Sequence, residues 1–357
     1  MVCIAAFIIL AICVLSIPVI RIFNKNLANK IWKLFRESMG CVGKRVTFRK
    51  CDSTFKDQVK NGLLKKVVLK HPGWVKPLSV IIEILSVLII AITIWSLLVG
   101  IKSGVGLYVY GTCDVTTPEA CVLDSTEACT IDGRSIDFWN HPIDWTANWF
   151  VEFGEAIMAI PARSQHWNAQ DFMPSGAQFF NAEDPEKPYA LDIFDPGCVI
   201  CKQSFRNQLN SDFFNENNVA MLVYPIRGVD GPKYANSVII TSYIESTRID
   251  PLTGSDRPAE WLIVKRLFTE NSELMIDYQT TFNDHYSNDR AREVLQKWLA
   301  DFGYSKSQVK KIADLAESDQ IKQIIADNQD IVDNQIRTRK IPTLIFDGRR
   351  HEGAFKP

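Results

Sequence analysis

Two long apolar runs dominate the first hundred residues. Residues 2–20 hold no charge and are interrupted only by Ser16 and Pro18, while residues 78–100 carry the single charge Glu83 near their start. Each approaches the ~20 residues needed to cross the hydrocarbon core of a bilayer, so two spans are expected. Further along, the pattern shortens and becomes punctuated. Residues 189–194 are a bulky run of strand length, broken by Pro196 and Gly197, after which Phe205, Leu209, Phe213 and Phe214 recur at helical spacing. A second buried strand is predicted over 219–226. Helices follow over 233–247, 258–269, 288–302, 305–316 and 318–335, with Asn288, Ser305 and Asp319 where caps are useful. Residues 341–346 then read as a strand led by Pro342. Asp347-Gly348 is a hairpin turn signal, and 349–352 return beside it up to Gly353. Between spans and strands, 111–137 has no period and 164–188 is irregular. Trp145, Trp149, Phe153, Ile157 and Ile160 mark one face of a helix within 141–161.

Charge changes this picture by giving the spans a direction. Residues 21–76 carry fifteen Lys and Arg against Glu37, Asp52 and Asp57, whereas 101–190 carry four basic against thirteen acidic residues. The positive-inside bias then places 21–76 in the cytoplasm and everything from about Lys102 outside. The first run lacks a basic segment before it, so it reads as a span rather than a cleaved leader. The basic loop has no interleaved aromatic pairs and no DNA-binding motif. Attraction to anionic lipid headgroups accounts for it, and nucleic acid is not an expected partner. Glu83 lies close enough to the end of its span to reach the headgroups.

The candidate chemistry is Cys198-Val199-Ile200-Cys201, at the end of one predicted strand and the start of a helix. A helix N-terminus favours a thiolate over a thiol, and the thiolate is the attacking species. Two intervening residues put the second sulfur one turn behind the first. Half of a zinc ribbon shares this spacing, but the chain has no second Cys-x-x-Cys, and its five histidines form no ligand pair. No metal is expected. Of the nine cysteines, Cys3 and Cys13 fall in the first span, and Cys41 and Cys51 fall in the loop where thiols stay reduced. Cys113, Cys121 and Cys129 fall outside with the dithiol. One structural disulfide is expected among these three, leaving one cysteine that is free, caps a partner, or exchanges with the working pair.

The order strand, Cys-x-x-Cys helix, strand, helical block and Pro-led hairpin resembles the thioredoxin fold from 189 onward. The helices between 233 and 335 make it similar to the DsbA-type extracytoplasmic thiol-disulfide oxidoreductases. The expected fold class is therefore α/β, a thioredoxin-like fold with a DsbA-type helical insertion, preceded by two transmembrane helices. The expected domains are a membrane anchor over 1–101, a Cys-containing linker over 102–188 and a catalytic domain over 189–357. The resemblance implies Cys198 as the exposed nucleophile and Cys201 as the buried resolving thiol. It also implies a cis Ile341–Pro342 bond facing the disulfide, with the backbone of Ile341 holding an extended substrate beside Val199 and Ile200. Asp192, six residues before Cys198, matches the family's buried carboxylate and would carry the proton of Cys201.

Two departures qualify the resemblance. Val199-Ile200 contains no histidine to donate to the Cys198 sulfur, so a less oxidising disulfide is expected. The family closes with a helix on the sheet, but this sequence ends at Ala354-Phe355-Lys356-Pro357. Either the sequence continues or another helix covers that face, the helix of 145–160 being the candidate. The expected partners are cysteine-containing exported polypeptides, a membrane or extracytoplasmic redox partner, and membrane lipids. No cofactor is needed, because the thiols carry the electrons. The competing class is a thioredoxin-like binding module holding a protein or a soft metal such as Cu(I) on the two thiolates. The scarcity of Met and His in this half argues against metal carriage.

Overall fold

The computed structural model describes residues 25–46, 74–110, 129–131, 136–228, 231–252, 254 and 257–356. The predicted span at 2–20, and with it Cys113 and Cys121, lie outside the described residues. Two compact units divide the chain, Met1–Ile101 and Lys102–Pro357. The first contains helix α1 (Lys25–Val46) and most of α2 (Val75–Tyr110). Among the described residues, α2 is the one helix long and apolar enough to cross a membrane by length and composition. It covers the span predicted over 78–100, and Ile84, Leu88, Ile92 and Leu97 point outward along it.

In the second unit, a four-stranded sheet in the order β3-β2-β5-β6 organises the rest. Strands β2 (Tyr189–Phe194) and β3 (Asn218–Val223) run parallel, with Asp192 opposite Met221. Both are buried almost throughout, as expected for strands covered on both faces. Strand β5 (Thr343–Phe346) pairs antiparallel with β2, and the hairpin continues into β6 (Arg349–Glu352). The turn Asp347-Gly348 has φ of 50° and 70°, both left-handed, and a Cβ on Gly348 would overlap the ring of His166. A separate two-residue ladder joins β1 (Cys129–Thr130) to β4 (Lys340–Ile341).

Helix α3 (Pro142–Met158) corrects one expectation. Its predicted stripe meets the buried face only in part: Trp149 of the stripe is inside together with Glu152 and Ala156, Trp145 and Phe153 are half-buried, and Ile157 and Ile160 are exposed. A charge and two small residues decide the rotation. Glu152 pairs with Lys102 at 2.7 Å, and Ala156 and Ala159 let the backbone approach Val109 and Tyr110. The buried face therefore meets the 102–110 end of α2, not the sheet. The C-terminal segment instead lies across the sheet's helix. Phe355 packs on Phe213 with ring centroids 4.7 Å apart, and its N–H donates to Ser204 Oγ at 3.0 Å.

After β2 come α4 (Val199–Leu209) and the single turn α5 (Phe213–Glu216). The helical insert comprises α6 (Ser237–Ile249), α7 (Ala259–Thr269), α8 (Tyr278–Asp284), α9 (Asn288–Phe302), α10 (Lys306–Ala316) and α11 (Asp319–Asp330). A wider helical turn, Ile331–Ile336, closes it. The caps of α9 and α11 are Ser287 and Ser318, one residue before Asn288 and Asp319, because a hydroxyl reaches back to the third helical N–H. Helix α8 escapes sequence reading because seven residues are too few to show a period.

The insert is held to β3 by Arg248. Its guanidinium bonds Glu245 at 2.7 Å, Glu260 at 3.2 Å and the Met221 carbonyl at 3.3 Å, and all three side chains are buried. Burial pushes both carboxyls up, so they depend on this one cation to stay charged. Arg248→Met is expected to cost about 3–5 kcal/mol by stranding two buried carboxylates. The shift in urea midpoint of the full chain in mild detergent, followed by Trp fluorescence, measures it.

Candidate active site

The end of β2 delivers Asp192 and Asp195 into the interior, and Pro196-Gly197 then turn the chain into α4. Cys198 is the N-cap of that helix, with extended backbone (φ −78°, ψ 121°), and Cys201 is its third helical residue. The helix-tip placement expected from the pattern is thus present, and the first turn has no acidic side chain to offset the positive end. The bond Ile341–Pro342 is cis, and the Cys198 sulfur lies 3.8 Å from the Ile341 carbonyl oxygen. Val199 is exposed and Ile200 half-buried beside it.

Two expectations fail here. Cys198 is fully buried rather than exposed, and its disulfide is to Cys129 rather than to Cys201. Cys201 is a free, buried thiol. Of the three cysteines expected to hold one staple and one leftover, Cys129 is the one joined to the working pair, and Cys113 and Cys121 lie outside the described residues. Pairing of β1 with β4 puts Cys129 opposite Ile341, which brings the Cys129 and Cys198 Cα atoms to 6.3 Å, inside disulfide reach.

Behind Cys201 sit two buried carboxyls with different surroundings. Asp192 accepts one hydrogen bond, from Gln208 Nε2 at 3.0 Å, and its Oδ1 accepts none from the described residues. Burial raises its pKa to about 6, against the Gln208 bond that lowers it. Both oxygens of Asp195 are engaged, by the N–H groups of Gly197 (2.6 Å) and Ile226 (2.5 Å) and by the Ser237 hydroxyl (2.5 Å). Burial also raises Asp195 to about 6, opposed by those three donors and the charge of Lys233. Burial first, then the charges of Asp195 and Asp192, push the Cys201 thiol well up. The Asp195 N–H, 3.5 Å from its sulfur, works the other way. Asp195 is therefore a clip for the turn, and Asp192 is the carboxyl with an oxygen open to a proton.

Helix α8 supplies residues that sequence reading missed. Gln279 Nε2 donates to the carbonyls of Pro196 (2.8 Å) and Cys198 (2.9 Å), and Asn283 Nδ2 donates to that of Gly197 (2.8 Å). Asp277 caps the same helix and pairs with Lys202 at 2.9 Å, tying α8 to α4. The capping pattern Asp277-x-x-Thr280 is the one local signal that could have revealed it. Tyr234 packs so tightly on Gly197 that a Cβ there would overlap its ring, and its hydroxyl lies 3.3 Å from the Cys129 sulfur.

No protein-family model and no curated protein matches the chain. Solved structures do match. MdbA, a thiol-disulfide oxidoreductase from Corynebacterium diphtheriae, is 14% identical with a TM-score of 0.37, over 52% of this chain and 90% of that one. Alpha-DsbA1 from Wolbachia pipientis is 10% identical with a TM-score of 0.38, over 53% of this chain and 90% of that one. The catalytic domain of Proteus mirabilis ScsC is 11% identical with a TM-score of 0.33, over 51% of this chain and 83% of that one. At that distance the likeness carries no function across.

Gln279→Ala leaves the buried Pro196 carbonyl without its donor, while the Cys198 carbonyl keeps the Lys202 N–H at 3.2 Å, and is expected to cost about 1–3 kcal/mol. Hydrogen exchange at Gly197 and Cys198, measured against the wild type, should rise while exchange in β3 does not. For Asp192, the folded chain holds the neutral carboxyl better than the charged one. Its stabilisation is therefore complete below about pH 4 and is lost as pH rises through about 6. Asp192→Asn should gain up to about 3 kcal/mol at pH 8 and nothing at pH 3. Urea unfolding at both pH values reads the difference.

Proposed function

We propose that this chain is a membrane-tethered thiol-disulfide oxidoreductase, exchanging disulfides with cysteine-bearing exported polypeptides through Cys198 and Cys201. The observation that carries the reading is a meeting of separate elements. The helix-tip Cys198 sulfur lies against the Ile341 carbonyl of the proline loop, with Cys201 buried one turn behind it. A substrate strand along Lys340–Ile341 would place its own sulfur beside Cys198. The Cys198 thiolate would attack a substrate disulfide, or a substrate thiolate would attack Cys198 within a Cys198–Cys201 disulfide. Either route passes through one mixed disulfide. In the reductive direction Cys201 then attacks Cys198 and releases the substrate thiol; in the oxidative direction a second substrate thiolate attacks the substrate sulfur, forming the substrate disulfide and releasing Cys198. Asp192 Oδ1 takes the proton that Cys201 must lose. The two sulfurs carry both electrons, so the step calls for no cofactor.

Helix α2 supplies the tether in this reading, and the reversal of charge across it supports an extracytoplasmic side for the exchange unit. The bare hydrocarbon of Val199 and Ile200 suits apolar contact with an unfolded polypeptide better than it suits thiolate stabilisation. Cys198→Ser is expected to reduce turnover of insulin and of a reduced, denatured disulfide protein to background, in the full chain in mild detergent. With Cys129 also replaced by serine, so that Cys198 is not taken up by it, Cys201→Ser is expected to retain the first half-reaction and to accumulate a mixed disulfide with a cysteine-containing reporter peptide. Unchanged turnover in the Cys198→Ser protein would overturn the reading.

A further inference from the structure

The segment Cys129–Ile131 occupies the place that the proposed function reserves for substrate. It is extended and antiparallel to β4, with Cys129 opposite Ile341 and Thr130 opposite Lys340. The Ile131 N–H donates to the Arg339 carbonyl at 2.9 Å, and its side chain is buried. Its cysteine is joined to Cys198 across 69 residues of chain. A permanent staple would consume the one sulfur at the helix tip. Yet the resolving thiol, Cys201, stays free directly behind it. The strand is also held lightly, since a two-residue ladder of two strands is marginal by itself.

We propose that Cys129 is a third exchange cysteine and that Cys129–Ile131 is a built-in substrate strand. It closes the site through the Cys129–Cys198 disulfide and is expelled by Cys201. The inference rests on the exchange reading above and names what first occupies that site. In the step, Cys201 gives up its proton to Asp192 and its thiolate attacks the Cys198 sulfur. The Cys198–Cys201 bond forms and the Cys129–Cys198 bond breaks. The electron pair leaves on the Cys129 sulfur, where the Tyr234 hydroxyl, 3.3 Å away, donates to it. The proton later passes from Asp192 through solvent to Cys129. One disulfide replaces another, so no outside oxidant or reductant enters. The edge of Lys340–Ile341 is then open to another extended, cysteine-bearing chain. Tyr234 acts as a positioning residue, placed by its contact with Gly197.

The test uses the full chain in mild detergent. Acid-quenched, alkylated and digested Cys201→Ser protein should yield the Cys129–Cys198 linked peptide as the dominant form of Cys198, because nothing remains to resolve it. Finding Cys198 as a thiol, or linked to Cys113 or Cys121, overturns the proposal. A tethered strand competes at an effective concentration on the order of millimolar. With a cysteine-containing reporter peptide at about a tenth of that, Cys129→Ser should react about tenfold faster than wild type. Tyr234→Phe should slow the appearance of alkylatable Cys129, which a passive staple would not do. A reporter that reacts equally with wild type and Cys129→Ser sinks this proposal alone. One that reacts with neither sinks the exchange reading as well.

Discussion

The site depends on satisfying the backbone of a buried turn. Pro196, Gly197 and Cys198 lie where water does not reach, so each polar group of that turn must find a partner in the protein. Asp195 takes the Gly197 N–H on its side chain and the Cys198 N–H on its carbonyl, at 2.6 and 3.1 Å. Gln279 and Asn283 supply donors to all three carbonyls. Each bond left unmade would cost about 1–3 kcal/mol. The shape of the cysteine turn is thus held from two sides, by the end of β2 and by a helix of the insert more than eighty residues further along. The insert is part of the site rather than an ornament on it.

The same burial sets the chemistry. Taking a carboxyl out of water favours its neutral form, and both Asp192 and Asp195 are raised for that reason first. What separates them is hydrogen bonding. Asp195 is saturated by Gly197, Ile226 and Ser237 and works as a clip. Asp192 keeps one oxygen without a partner among the described residues, and its charge is among those that push the Cys201 thiol up. Two acids three residues apart therefore differ, one saturated and holding the turn, the other with an oxygen unbonded among the described residues.

The parts legible in the sequence were those written locally. Strand β2 announces itself by bulk, its end by Pro196-Gly197, and the hairpin by Asp347-Gly348, whose two left-handed residues admit few side chains. Asp192 was named from its spacing to Cys198, and it lies buried. Helix α8 was not, since its seven residues show no period, and Gln279 and Asn283 went with it. Nor was the buried face of α3. Of its apolar stripe only Trp149 is fully buried, and Glu152, paired with Lys102, and Ala156 take the rest of the inward side.

What the sequence determined alone was most strands and longer helices of the second unit, the cysteine pair at a helix tip, and the reversal of charge across an apolar helix, because each is a property of near neighbours along the chain. What only the tertiary structure decided was the partner of Cys198. Cysteine spacing limits which pairs are possible but does not choose among them, and the choice fell to β1, whose backbone pairs with Lys340–Ile341 and carries Cys129 within disulfide reach. Strand pairing across some two hundred residues is a matter of edges meeting in space, and no local period encodes it.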